Sequence, residues 1–127
     1  MEPLVDMQLV INEVTLKNHN ITGDNFQVKP RFTRTIKKLN ESNANVELRV
    51  EILNTEENPF PMDITVSMSG IFDISKLEEK NIRQFVEIQS VQLMLPHIRN
   101  LIATLTTASL MAPLMLPIYD ARKLFSE

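Results

Sequence analysis

Residues 91–118 read VQLMLPHIRNLIATLTTASLMAPLMLPI, and this stretch decides how the chain folds. Its first part has the period of an amphipathic helix. With Val91 at zero and about 100° per residue, Met94, Leu95, Ile98, Leu101, Ile102 and Leu105 fall within an arc of roughly 120°. Gln92, Arg99, Asn100, Thr104 and Thr107 lie outside that arc, and Leu93 is the apolar exception. A stripe of this width is what a helix lays on a sheet, and each side chain fully buried there contributes roughly 1.5–3 kcal/mol. Pro96 is tolerable near a helix start and otherwise implies a kink. The second part, residues 110–118, is an apolar run broken by Pro113 and Pro117. Proline lacks the amide donor and its ring clashes with the preceding turn, so the run is neither a long helix nor a central strand. It reads as an extended apolar ribbon that must lie against something.

What the helix covers is written upstream. Val5, Met7, Leu9 and Ile11 alternate with more polar neighbours, and the phase then slips by one residue to Val14 and Leu16. A bulge near Asn12–Glu13 accounts for the slip, because one inserted residue resets the faces of a strand. Residues 18–25, NHNITGDN, read as a polar loop. Phe26, Val28, Phe32 and Ile36 suggest a second strand, interrupted by Pro30, which places its start at an edge or in an irregular crossover. That strand carries Lys29, Arg31, Arg34, Lys37 and Lys38. These cations form either a solvated strand face or a binding face for an acidic partner. After a turn at residues 40–45, Val46, Leu48, Val50 and Ile52 alternate with Glu47, Arg49 and Glu51. A further turn at 54–59 leads to alternation from Met62 to Ile74. Short turns between consecutive strands imply antiparallel pairing, and one apolar face per strand implies cover on one side only. Residues 76–90 mix charge with Ile82, Phe85, Val86 and Ile88 and begin the helical region. The expected fold is therefore α+β: a four-stranded antiparallel sheet covered on one face by a long C-terminal helix and an apolar proline-broken segment, in a single domain over residues 1–127.

Composition narrows the function. A net charge of −3 and a pI near 5.4 disfavour a general nucleic-acid binder. The chain has no cysteine, hence no disulfide framework, thiolate nucleophile or cysteine zinc site. A cytoplasmic location fits that absence. The acidic N-terminus MEPLVDMQLV lacks the basic region of a signal peptide, and no apolar run is long enough for a transmembrane helix. Gly23 and Gly70 are the two glycines, too few for a phosphate-cradling loop. His19 falls in a loop and His97 on the border of the helix stripe, with no partner residues spaced for a metal or a general base. No constellation carries catalysis, and neither a metal nor a cofactor is expected. The apolar inventory points instead to binding. Seven methionines make a soft apolar set, and an exposed ribbon at 110–118 would mark an interface or a groove.

Residues 46–50, residues 69–74, and residues 95–99 with 111–117 resemble the bacterial export chaperone SecB and the wider SecB-like family. Val46-Glu47-Leu48-Arg49-Val50 is similar to the family's third strand. Ser69-Gly70-Ile71-Phe72-Asp73-Ile74 is similar to its turn out of strand four. Leu95-Pro96-His97-Ile98-Arg99, followed by Met111-Ala112-Pro113-Leu114-Met115-Leu116-Pro117, is similar to its long helix and leucine- and proline-rich ribbon, the most specific match of the three. The resemblance implies a chaperone, not an enzyme, that keeps unfolded or pre-secretory polypeptides from folding or aggregating. It implies a homotetramer, a dimer of dimers, in which strand-one edges pair across the dimer. Its client grooves would be lined by the ribbon, the crossover after strand one and the helix, which places Phe26, Phe32, Phe72, Met94, Ile98, Met111, Leu114, Met115, Leu116 and Ile118 there.

The departures from the family pattern also carry information. Ser69 replaces the first glycine of the family's pair, Ala108-Ser109 replaces the double glycine before the ribbon, and the closing helix is reduced to residues 119–125. In the export chaperones, acids on the open sheet face dock the motor SecA. Here the matching positions are Thr65 and Asn18, leaving Asp63 and Glu13 as acids for that face. The expectation is weak or absent SecA binding. A SecB-like chaperone of a toxin–antitoxin pair or of a phage-borne system fits those losses, and an adaptor that binds one folded partner is the reading from another class.

Overall fold

The computed structural model describes residues 6–23 and 26–125. Val5 and the end of the polar loop predicted over 18–25 lie outside those residues. Four strands, β1 (Met7–Asn18), β2 (Arg31–Lys38), β3 (Asn43–Ile52) and β4 (Met62–Asp73), form one sheet in the order β1-β4-β3-β2. All three pairings are antiparallel. The last three strands are consecutive hairpins. β1 lies beyond β4, so residues 19–30 cross to the opposite edge. That crossover is tied to the β3–β4 turn: the His19 amide donates to the Pro61 carbonyl (2.9 Å), and Asn58 Nδ2 donates to the Gln27 carbonyl (3.1 Å). Phe26 and Val28 lie in this irregular crossover, one of the two placements that Pro30 allows, and the regular strand begins after it. Pro30 has no amide to give to a ladder, so pairing with β3 starts only at Arg31.

The bulge in β1 is where the phase slip places it. Ile11 faces Met68 and Val14 faces Val66, with the register shift between Ile11 and Glu13. The bulge lets Met7, Leu9 and Ile11 share a face with Val14 and Leu16. On β3 and β4 the same face carries Val46, Leu48, Val50, Ile52, Ile64, Val66 and Phe72, all essentially inaccessible to solvent. Gly70 sits among them because nothing larger fits: a Cβ there would lie 2.6 Å from the Phe72 ring, which is itself packed edge-on against Phe85.

One face of this sheet is covered by a continuous helical segment: α1 (Glu79–Gln84), a π-helical turn (Phe85–Gln89) and α2 (Ser90–Ala108). The π turn explains a misfit in the sequence. At a regular helical period, Phe85 and Val86 fall off the stripe that begins at Val91. A π turn takes in one extra residue, so the five-residue steps from Phe85 to Ser90 and from Val86 to Val91 stay on the buried side. Ser90 is accommodated there because its hydroxyl donates to the Val86 carbonyl (2.8 Å). Along α2, Val91, Met94, Leu95, Ile98 and Ile102 are buried as the period predicts, while Leu101 and Leu105 are half-buried.

The end of α2 determines where the ribbon begins. The Met111 amide donates to the Thr106 carbonyl (3.0 Å) and the Leu110 amide to the Thr107 carbonyl (3.0 Å). This is the paired closure of a Schellman motif, which places one residue in the left-handed region and usually fills it with glycine. Here that residue is Leu110, at φ 62°, with its side chain 96% exposed. A leucine in this conformation costs about 1 kcal/mol or more relative to glycine. Leu110→Gly is therefore expected to raise stability by about 1 kcal/mol, read as a higher urea midpoint with an unchanged slope. A lower midpoint would show that the leucine gains more from contacts than its backbone loses.

Candidate functional site

Beyond Leu110 the chain turns back along α2, and side chains of the helix hold its backbone. Thr106 Oγ accepts from the Leu114 amide (2.9 Å). Arg99 Nε donates to the Leu116 carbonyl (2.6 Å). Gln92 does both, its Nε2 donating to the Tyr119 carbonyl (3.0 Å) and its Oε1 accepting from the Ala121 amide (2.9 Å). Residues 92, 99 and 106 are seven apart, two helical turns and roughly 10 Å per step, so they form one row facing the ribbon. Extended backbone needs partners for its polar groups once they leave water. The two prolines reduce the number of donors, and this row serves groups between them and just beyond the second.

Pinned this way, the ribbon is apolar on both sides. Leu116 is turned in and only 2% exposed, while Met115 and Ile118 are turned out at 56% and 84%. Between ribbon, helix and β2 lies a hollow of about 220 Å³, walled by Leu95, Pro96 and Ile98 from α2, by Leu116, Ile118 and Tyr119 from the ribbon, and by Phe32 from β2. Phe32 and Tyr119 meet edge-on with centroids 5.2 Å apart. Burial pushes the Tyr119 hydroxyl above its ordinary pKa. Arg99, also in the wall, is committed to the ribbon carbonyl. The hollow therefore offers apolar contact, an aromatic edge and nearby backbone, and no pair of groups arranged for proton transfer.

Past Tyr119 the chain enters the short helix α3 (Ala121–Leu124), capped by Asp120, whose carboxylate accepts from the Arg122 amide (3.0 Å). Arg34 reaches across from β2, donating to the Glu87 carbonyl in the π turn and lying 4.3 Å from the centroid of the Phe125 ring. A side chain on the apolar face of an edge strand thus joins the π turn to the C-terminal segment.

Of the ten groove positions expected from the sequence, Phe32, Ile98, Leu116 and Ile118 line this hollow. Met111 and Leu114 are half-buried against the core, and Met115 is exposed on the ribbon. Phe26 lies in the crossover, edge-on to Phe60 at 6.2 Å. Phe72 and Met94 are corrected: both are fully buried beneath the helix, where they hold the fold together and face no surface. Gln92, Arg99 and Tyr119 were not singled out as site residues, although the seven-residue spacing of Gln92, Arg99 and Thr106 is visible in the sequence.

The open face of the sheet also needs two corrections. Asn18 pairs with Met62, so it lies on the helix-covered face and cannot stand beside Asp63. Thr65 is on the open face but buried between its neighbours. The two acids that remain are both engaged. Glu13 Oε1 holds Arg49 Nη1 at 2.8 Å, which raises the guanidinium's pKa. Asp63 accepts from the Asn54 amide (2.8 Å) and pairs with His19 Nε2 (2.9 Å); chiefly the first of these holds its carboxyl below the usual range.

Removing the helix side chains that hold the ribbon tests this geometry. In Gln92→Ala and Thr106→Val, the amides of Ala121 and Leu114 should exchange with solvent faster while those of α2 stay protected. Each lost partner should weaken the local structure by about 1–3 kcal/mol. Unchanged exchange at both amides would mean that the ribbon is held by its apolar contacts alone.

Comparison with known proteins agrees with this architecture. An uncharacterized protein of Methanocaldococcus jannaschii is 29% identical over 115 residues, which cover 87% of this chain and 70% of that protein. Among solved structures, the SecB-like chaperone of Mycobacterium tuberculosis, in complex with a ChAD peptide from the HigA1 antitoxin, superposes with a TM-score of 0.68. That match covers 91% of this chain and 87% of the other at 15% identity, a likeness of fold. Residues 13–127 match the family model for SecB, preprotein translocase subunit SecB, and on that match the chain belongs to the SecB family.

Proposed function

We propose that this protein is a chaperone that takes unfolded or pre-secretory polypeptide segments into the hollow between ribbon, α2 and β2, and so keeps them from folding or aggregating. The observation that carries this reading is the contrast within the ribbon. Its backbone is fixed by Gln92, Arg99 and Thr106, while Met115 and Ile118 are presented to solvent. A preformed apolar wall with little polar detail suits many sequences, and methionine adds adaptability. The function is binding, in keeping with the family, and the proposed location is the cytoplasm. Ile118→Glu should weaken binding of a reduced, unfolded client by tenfold or more, since a buried isoleucine contributes roughly 1.5–3 kcal/mol. The circular dichroism spectrum and melting temperature should stay as they are, because Ile118 is on the surface. Full client binding by a folded Ile118→Glu protein would remove the hollow from the mechanism.

The working assembly is proposed to be a homotetramer, a dimer of dimers. β1 supports this reading, being an open edge with Met7, Val10, Ile11 and Val14 all substantially exposed. Beside it, a second hollow of about 350 Å³ runs between β1 and α2, floored by Leu9, Met68 and Leu101. A strand with one edge unpaired among the described residues, carrying apolar side chains on both faces, calls for a partner. Light scattering should give roughly four times the 14.6 kDa chain mass at micromolar concentration. A monomer mass across that range would overturn the assembly.

A second reading has its own support. The Mycobacterium tuberculosis neighbour is a SecB-like chaperone holding an antitoxin peptide. On the open face of this chain, Glu13 and Asp63, the acids left at the docking positions, are already paired with Arg49 and His19. Surface charge adds affinity mainly when several free groups act together, so docking of SecA is proposed to be weak or absent. A role dedicated to an antitoxin client follows from the same arrangement.

A further inference from the structure

We infer that the free edge of β2 selects its client: it takes an extended segment in which apolar and acidic residues alternate. This inference rests on the chaperone reading and names the kind of segment that the site prefers.

The argument starts from charge. Residues 26–40 hold Lys29, Arg31, Arg34, Lys37 and Lys38 and no acid, while the rest of the chain carries twice as many acidic as basic side chains. A segregation this sharp in an acidic protein puts a local positive strip on a negative body. Arg34 is occupied by the Glu87 carbonyl and the Phe125 ring. Lys29, Arg31, Lys37 and Lys38 are exposed and make no ion pair among the described residues.

The strip lies on a strand with an unused edge. β2 pairs with β3 on one side and with no strand on the other among the described residues. Its outward N–H and C=O groups can therefore receive one more strand. Lysines on an edge disfavour a second copy of the same strand, since an antiparallel partner would set cation against cation. They favour an acidic one for the same reason.

Register supplies the pattern. Phe32 and Ile36 point to the helix-covered face, and Phe32 is part of the wall of the ribbon hollow. Arg31 and Lys37 point to the open face. A strand laid beside β2 alternates in the same way, so apolar side chains would continue into the hollow while acids would meet the cations opposite.

Three labelled peptides of one length test this, with the same alternating apolar positions and with Glu, Ser or Lys between them. Anisotropy should show the Glu peptide binding roughly tenfold tighter than the Ser peptide at low salt, a gap that closes at high salt. Arg31→Ser/Lys37→Glu, which removes the two open-face cations, should abolish the advantage of the Glu peptide and leave the Ser peptide unchanged. Arg31 faces Glu51 and Lys37 faces Asn45 on β3, so neither change sets acid against acid there. Equal binding of Glu and Ser peptides at low salt, or a preference that survives the double variant, overturns the inference while leaving the groove reading intact. No binding of the Ser peptide by either protein overturns the groove reading itself, and with it the inference. A single-stranded oligonucleotide that binds as tightly as the Glu peptide would show an undiscriminating anion surface, which also overturns it.

Discussion

Three polar side chains seven residues apart on one helix decide what the rest of the molecule can do. Gln92, Arg99 and Thr106 bond to backbone atoms of the returning chain, and the Thr106 hydroxyl donates to the Ile102 carbonyl of its own helix as well. Without them, extended chain between residues 110 and 121 would have to leave water with its amides and carbonyls unserved, at a few kcal/mol for each such group. With them, Leu116 can enter the core and Ile118 can face out from a fixed position. The sheet and helix build a stable body, and this row turns the remaining chain into a wall.

The helix can present that row because its other side is already committed. The π turn keeps Phe85 and Val86 in phase with the stripe of α2, and that stripe lies across β3 and β4. Arg34 meets the π turn through the Glu87 carbonyl and meets Phe125 through its guanidinium face. One edge-strand residue therefore links a local irregularity in the helix to the position of the C-terminal segment. Placing a half-buried cation on the helix-covered face is costly unless it is bonded, and both of its contacts make it a structural tie.

Much of the fold was legible because it rests on period and punctuation. Alternation marked β3 and β4, a slipped phase marked the bulge at Asn12, and two prolines marked the ribbon as irregular. At Phe26 an edge strand and an irregular crossover both stayed open, because apolar spacing continues across Pro30, where the ladder cannot. Phe72 and Met94 were placed at the groove because a resemblance gives neighbourhood, not depth; depth depends on what packs above a residue. Asn18 was misplaced because one residue of register changes the face, and only pairing with Met62 fixes it. Gln92, Arg99 and Thr106 were passed over because helix reading looks for apolar residues. Polar residues at a repeating interval say something only once a partner strand of chain is seen beside them.

The same row has a consequence for how the protein can change. Its contacts fix where the ribbon runs without regard to which side chains the ribbon carries. At Met115 and Ile118, substitutions alter what is displayed without disturbing the path of the chain. Display and scaffold are thereby separated within a dozen residues, much as variable loops are separated from the framework that holds them. A lineage can retune the surface it offers by drift at two or three exposed positions, with no compensating change in the core.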